Sequence, residues 1–131
     1  MEKRAFDPTP WLSHFGMHHG IEITGAQRTL YLSGQTASAA DGSAMHPGDI
    51  SAQFRAAWNN LKDVLTEAGM TPENIVRLNV YTTDVDAFMA AAGDLFPVFA
   101  GDGCKPVSTL LGVARLYDPA ILIELEATAV A

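Results

Sequence analysis

The chain has 131 residues with a formal net charge of −7, and 48% of its residues are hydrophobic. This length fits one globular domain, so we expect a single domain over residues 1–131. The acidic balance argues against nucleic acid and anionic membrane surfaces as partners, and no run approaches the ~20 apolar residues of a membrane span. Cys104 is the only cysteine, which excludes an intramolecular disulfide and favours the cytoplasm.

An irregular arm and a β-hairpin are predicted near the N-terminus. Pro8 and Pro10 are typical of a segment without regular structure. Residues 21–24 and 29–33 are short β-favouring runs on either side of Gly25. We therefore expect these two runs to pair with each other as a hairpin.

Two helices alternate with a strand in the middle of the chain. Asp49 is the predicted N-cap of the first helix, in which apolar residues recur at helical spacing as far as Gly69. Residues 75–83 then alternate between apolar and polar, which is typical of a half-buried strand. Asp84 is predicted to cap the second helix. Pro97 inside that helix predicts a kink or an early end, because proline lacks a backbone N–H.

Two further strands are predicted at residues 108–116 and 121–130. The order β-β-α-β-α-β-β predicts an α+β fold with both helices on one face of the sheet. Leu110, Leu111 and Val113 are predicted to lie on the other face. An apolar sheet face without a covering layer usually meets another copy of the chain, so we expect self-association.

Two carboxylates, Glu124 and Glu126, interrupt the apolar run of the last predicted strand. They point to the same side, because the side chains of a strand alternate between its faces. A carboxylate inside an apolar strand is costly unless it is paired or solvated. The pair therefore marks a functional site, an interface or an exposed sheet face.

Five short motifs follow one another in a fixed order. They are Ser-Gly-Gln at 33–35, the helix end Asn-Leu-x-x-Val-Leu-x-x-Ala-Gly at 60–69, Val-Tyr-x-Thr-Asp at 80–84, Val-Ala-Arg-Leu at 113–116 and Ile-Glu-Leu-Glu-Ala at 123–127. In this order they resemble the RidA/YjgF family, also called the endoribonuclease L-PSP family. The resemblance implies a chorismate-mutase-like fold and a homotrimer with small-molecule clefts between subunits. It also implies hydrolysis of reactive enamines or imines without metal or cofactor.

The resemblance assigns roles to individual residues, and two positions depart from the family. Ser108 stands where the family has an arginine that binds a substrate carboxylate, and Ala92 stands where it has a polar asparagine. Glu124 matches the glutamate that orients water, so it is the predicted catalytic residue. Lys105 is the candidate replacement cation, although an ammonium matches a carboxylate less well than a guanidinium does.

Five residues are predicted to bind the substrate. Gly34 would allow close approach of the backbone, and Leu110 would form an apolar wall. The resemblance implies an aromatic residue from the N-terminal segment at the cleft, which would be Phe15 or one of the histidines of that segment. The full set is Ser108, Gly34, Leu110, Lys105 and Phe15.

Neither a metal nor a cofactor is predicted. His14 and His18 have i, i+4 spacing, which suits a metal only on a helix, and the neighbouring glycines argue against one. Two functions stay open. One is a hydrolytic deaminase of enamines or imines with an altered substrate, and the other is a non-catalytic trimeric metabolite-binding protein. The ribonuclease function in the family's name fits an acidic chain poorly.

Overall fold

The computed structural model describes all 131 residues as a four-stranded sheet with two helices and an additional strand pair. The strands are β1 (Glu2–Phe6), β2 (Gly20–Thr24), β3 (Thr29–Thr36), β4 (Ile75–Thr82), β5 (Leu110–Gly112) and β6 (Ile123–Val130). The helices are α1 (Ile50–Glu67) and α2 (Val85–Gly101), with short 3-10 helices at Trp11–Phe15 and Pro72–Asn74. The main sheet has the order β3-β6-β4-β5, and only β4 and β5 are parallel. The predicted α+β class is confirmed.

Both helices begin at the predicted caps and cover one face of the main sheet. The Asp49 side chain accepts a hydrogen bond from the Ala52 N–H, and Asp84 accepts one from the Ala87 N–H. These bonds satisfy backbone donors that the first turn of a helix leaves free. The core between helices and sheet contains fully buried side chains from both layers, including Phe54, Trp58, Leu61, Phe88, Phe99, Leu78, Ile123 and Leu125.

The predicted hairpin between residues 21–24 and 29–33 is wrong. Strand β2 pairs antiparallel with β1, from Glu2 opposite Thr24 to Phe6 opposite Gly20. Strand β3 pairs instead with β6, at the other end of the chain. All five residues of β1 are exposed, so β1 has no apolar alternation by which it could be recognised. Because β1 could not be recognised in the sequence, β3 was the next strand along the chain that could pair with β2.

Two expectations about the second half also need correction. Helix α2 does not end early at Pro97 but continues to Gly101, because Leu95 and Phe99 on either side of the proline are buried in the core. The kink at Pro97 stays a prediction. The strand predicted at 108–116 has only three residues in β5. Leu110 lies opposite Val80 and packs against the core on the helix side, so it does not lie on the outer face with Leu111.

The sheet face opposite the helices, called the open face below, is mostly polar. It carries Glu124 and Glu126 of β6 with Asn79 and Tyr81 of β4, paired across the two strands. Apolar side chains are few there, and the half-exposed Leu111 is one of them. The sequence-based expectation of an apolar outer face is therefore wrong. Neither helix of the chain is long and apolar enough to cross a lipid bilayer.

Candidate functional site

Glu124 lies near the start of β6, in the middle of the open face. Its strand neighbours are Thr36 in β3 and Tyr81 in β4. Ile123 and Leu125 on either side of it are fully buried in the core, so alternation directs Glu124 to the open face. The carboxyl group is therefore held on a central strand and is only partly exposed.

A bulge in β3 brings the backbone of Gly34 against this carboxyl group. The pairing of β3 with β6 shifts between Leu32 and Gln35, which leaves Ser33 and Gly34 in the irregular step. A Cβ atom on Gly34 would lie 1.7 Å from Oε1 of Glu124. Only glycine leaves room for the carboxyl group in this position. The close approach expected at Gly34 is thus made by Glu124 itself.

The two carboxyl groups of the open face have different surroundings. Glu126 accepts hydrogen bonds from the Tyr81 hydroxyl at 2.8 Å and from Asn79 Nδ2 at 3.3 Å. Glu124 makes no side-chain hydrogen bond within the chain. Burial, and secondly the charge of Glu126, raise the pKa of Glu124. The carboxyl group of Glu124 is therefore free to bind a water or a substrate proton, while that of Glu126 is held in place.

Three predicted substrate-binding residues meet on the helix side of the sheet. Ser108, Leu110 and Phe15 line a cavity of about 290 Å³, in which nine of the ten lining residues are hydrophobic. We call it the apolar cavity. Its walls are Trp11, Leu12, Phe15 and Met17 from the N-terminal segment, Val80 from β4, Phe88, Met89 and Phe96 from α2, and Ser108 with Leu110 from the β5 edge. The Ser108 hydroxyl donates to the Leu78 carbonyl.

Lys105 lies in a separate polar cleft. This cleft of about 450 Å³ also contains Lys3, His18 and Glu73. The backbone of two segments lies between this cleft and the apolar cavity. These segments are joined by a hydrogen bond from the His18 N–H to the Pro106 carbonyl at 3.0 Å. Lys105 and Ser108 therefore do not share a cavity within one chain, and the role of Lys105 as a substitute cation stays a prediction.

Two histidines of the N-terminal segment, His18 and His19, make local hydrogen bonds. Nδ1 of His18 lies 2.7 Å from Oδ2 of Asp7. The backbone N–H of His19, followed by the His18 side chain, lowers the pKa of Asp7. His14 is in the 3-10 helix and, together with Ala92, lines a second groove beside α2. No three His, Cys, Asp or Glu side chains converge.

The structure adds site residues that the sequence did not indicate. Tyr81 and Asn79 hold Glu126 in place beside Glu124 by hydrogen bonds. The alternation of β4 predicted that Asn79 and Tyr81 share a face, but not that they contact Glu126. Asn79 Oδ1 is buried without a hydrogen-bond partner. Trp11 and Met17 line the apolar cavity, and no periodic pattern marked them.

Within one chain the predicted site is divided between the two faces of the sheet. Glu124 and Gly34 are on the open face, whereas Ser108, Leu110 and Phe15 are on the helix side. The sheet separates the two groups. A single site that contains Glu124 and Ser108 therefore needs contributions from two chains.

Comparison with known proteins gives consistent matches over most of the chain. The sequence model of the family described as Endoribonuclease L-PSP matches residues 18–131. The uncharacterized protein SCO2049 of Streptomyces coelicolor is 28% identical over 97% of this chain and 90% of its own length. The crystal structure of YyfB from Yersinia pestis, a protein of unknown function of the conserved Rid family, is 34% identical with a TM-score of 0.89 and covers 100% of both chains. The structure of Escherichia coli TdcF with bound serine is 26% identical, covers 84% of each chain and has a TM-score of 0.69.

Proposed function

The chain belongs to the RidA/YjgF family, and from that premise we propose that it is a hydrolytic deaminase of reactive enamines or imines with an altered substrate. The observation that carries the proposal is the Glu124 carboxyl group. It lies against Gly34, makes no hydrogen bond within the chain and has a raised pKa. A raised pKa makes the carboxylate a stronger base and keeps the proton available for return to the substrate, which is what general acid–base catalysis requires.

The proposed reaction uses water and no metal. The C=N bond reacts in its protonated form, the iminium. Glu124 takes a proton from water while the oxygen adds to the iminium carbon, which gives a neutral tetrahedral carbinolamine. The protonated carboxyl group then gives the proton to the nitrogen. The Glu124 carboxylate next takes the hydroxyl proton as the C=O bond forms and the C–N bond breaks, and the departing ammonia carries that proton away as ammonium. An enamine enters the same sequence after protonation at carbon gives its iminium.

We propose that the site is completed between subunits of a homotrimer. The support is the separation of Glu124 from Ser108 by the sheet, together with the polar open face on which Asn79 Oδ1 is buried without a partner. A neighbouring chain could bring its apolar cavity to the open face and supply a donor for Asn79. In this arrangement Glu124 of one chain faces Ser108 and Leu110 of the next.

The assembly is tested by mass. Light scattering or sedimentation at micromolar concentration should give about three times the 14.0 kDa of one chain. A trimer that closes into a ring leaves no interface free for further association. Its mass should therefore be the same over a range of protein concentrations. A monodisperse monomer would remove the shared site from the proposal.

The reaction is tested by ammonia release from a panel of 2-imino acids and their neutral amides, with wild type beside Ser108→Arg. The wild-type chain lacks the charged clamp, and losing a charged hydrogen bond to a carboxylate costs on the order of 2–5 kcal/mol. The rate on 2-imino acids should therefore be about a hundredfold or more below that of an arginine-bearing relative. Ser108→Arg should raise the rate on 2-imino acids part of the way to that of the relative. Thr109→Arg, one position further along the chain, should not raise it.

The second candidate is a non-catalytic metabolite-binding protein. Ser108 and Ala92 favour it, because both replace polar side chains of the family site with groups that cannot hold a carboxylate. Ligand binding without ammonia release from any imine or amide of the panel would support this function. Wild-type rates equal to those of an arginine-bearing relative would contradict the proposal of an altered substrate.

A further inference from the structure

The apolar cavity has one wall outside the region that the family sequence model matches. Trp11, Leu12, Phe15 and Met17 all precede residue 18, where that match begins. The wall is attached to helix α2, since the rings of Phe15 and Phe96 meet edge to face with centroids 5.5 Å apart. The N-terminal segment of this chain thus forms a cover over the helix side of the β5 edge.

The lining of the apolar cavity selects against charge. None of its side chains is charged, and Ser108 is the only polar one. A carboxylate or ammonium placed there would lose its hydration without gaining a partner, which is strongly unfavourable. The Ser108 hydroxyl already donates to the Leu78 carbonyl, so its lone pairs are left to accept a hydrogen bond from a ligand.

The volume of the apolar cavity limits the ligand's size. About 290 Å³ lies near the lower end of the ~300–1,000 Å³ range of ligand pockets. It is roughly twice the ~150 Å³ of an engineered apolar cavity that binds benzene. One or two fused rings would fill it. The edges and faces of Phe15, Phe88 and Phe96 offer the offset contacts that aromatic rings prefer.

We propose that the apolar cavity binds an uncharged molecule of one or two aromatic rings, with a ring N–H or O–H that donates to Ser108 Oγ. This inference rests on the proposed small-molecule function and names its ligand class. It concerns binding alone, so it does not depend on hydrolysis by Glu124. The N-terminal cover acts as a specificity element that excludes the small charged acids that an arginine clamp would hold.

The test is calorimetry on the full chain with two matched pairs of probes. Indole is compared with benzothiophene, which has the same shape without the N–H. Benzamide is compared with benzoate, which has nearly the same volume and a charge. We expect indole to bind about tenfold more tightly than benzothiophene, as for one hydrogen bond. We expect benzamide to bind at least about a hundredfold more tightly than benzoate, because an unpaired buried charge costs more than one hydrogen bond.

Variants with a matched control locate the binding. Phe15→Ala should weaken indole binding by about tenfold, because it removes one aromatic wall. Phe6→Ala is the control, because Phe6 is on the same segment with 40% exposure against 38% for Phe15 and does not line the cavity. Met89→Trp should also weaken binding by filling the mouth, where Met89 is 49% exposed. Its control is Met45→Trp, at a 37% exposed position elsewhere.

Several results would overturn the proposal. They are no measurable heat with indole, benzoate binding as tightly as benzamide, or equal indole affinity in Phe15→Ala and Phe6→Ala. The probes contain no hydrolysable C=N or enamine bond. A lack of ammonia release therefore leaves this proposal intact, and a lack of probe binding leaves the hydrolysis proposal intact.

Discussion

Replacing Gln53 by leucine should lower the free energy of unfolding by about 3 kcal/mol or more, since each buried polar group left unpaired costs about 1–3 kcal/mol. The Gln53 side chain is fully buried in α1. Its Nε2 donates to the carbonyls of Met45, His46 and Ala120 at 3.2, 3.2 and 2.7 Å. Its Oε1 accepts from the Leu122 N–H at 2.8 Å. Leucine fills similar space and removes all four contacts.

Urea denaturation at a fixed protein concentration measures this effect, because assembly would otherwise shift the apparent stability. Gln27→Leu is the matched control, since Gln27 is exposed and makes no side-chain hydrogen bond, and it should change the free energy of unfolding by less than about 0.5 kcal/mol. Gln53→Glu keeps the acceptor for Leu122 and loses the donors, so it should also destabilise. If Gln53→Leu is as stable as wild type, the prediction is wrong, and water must satisfy the backbone groups that the amide contacts in the wild type.

The contacts of Gln53 also connect the core to the candidate site. Leu122 comes two positions before Glu124, and its carbonyl accepts from the Thr82 hydroxyl at 2.7 Å. The start of β6 is therefore fixed from α1 on one side and from β4 on the other. Gln53 thus holds the segment that enters β6, two residues before Glu124.

The helices and the last strand could be predicted because their signals are local. Asp49 and Asp84 are separated by only three residues from the N–H groups that they accept from. In β6 the alternation of apolar and acidic residues placed Glu124 and Glu126 on one face, and the burial pattern agrees. Signals of this kind depend on spacing along one element, which the sequence displays directly.

Pairing between distant segments could not be predicted in the same way. The partner of β2 is β1, whose residues are all exposed. The side to which Leu110 points depends on its register with Val80, which is fixed by the parallel pairing of β4 and β5. A shift of one residue reverses the face of every side chain in a strand. The short motif around Leu110 contains no information about that register.

The candidate site illustrates the same limit. Glu124 and Ser108 were expected to act together on the basis of family resemblance, and within one chain they lie on opposite sides of the sheet. The contact of Glu124 with Gly34 depends on a bulge opposite β6. The Ser-Gly-Gln motif indicated that Gly34 matters, and only the tertiary structure shows that its missing side chain makes room for a carboxyl group.

Glu124→Gln should strongly slow hydrolysis and stabilise the protein. A glutamine cannot exchange a proton, and general acid–base catalysis contributes about 10²–10⁴-fold, so ammonia release should fall by at least a hundredfold. The pKa of Glu124 is raised by burial and then by Glu126. The folded chain therefore holds this proton more tightly than the unfolded chain. Stability is lost as pH rises through the range where Glu124 ionises, and the neutral glutamine escapes that loss.

The pH dependence gives the sharpest form of this prediction. The melting temperatures of wild type and Glu124→Gln should coincide below roughly pH 3, where the carboxyl group is protonated in both states, and the variant should melt higher at neutral pH. Hydrolysis by the wild type should rise with pH through the pKa of Glu124, because the base is the ionised form. Glu126→Gln should move that rise to lower pH, since it removes the neighbouring negative charge. Glu22→Gln, at an exposed position of β2, should leave the pH of the rise unchanged. The opposite result would be a Glu124→Gln variant that melts lower than wild type at neutral pH and hydrolyses at the wild-type rate. Glu124 would then be a structural residue whose carboxylate pairs with a group of another chain.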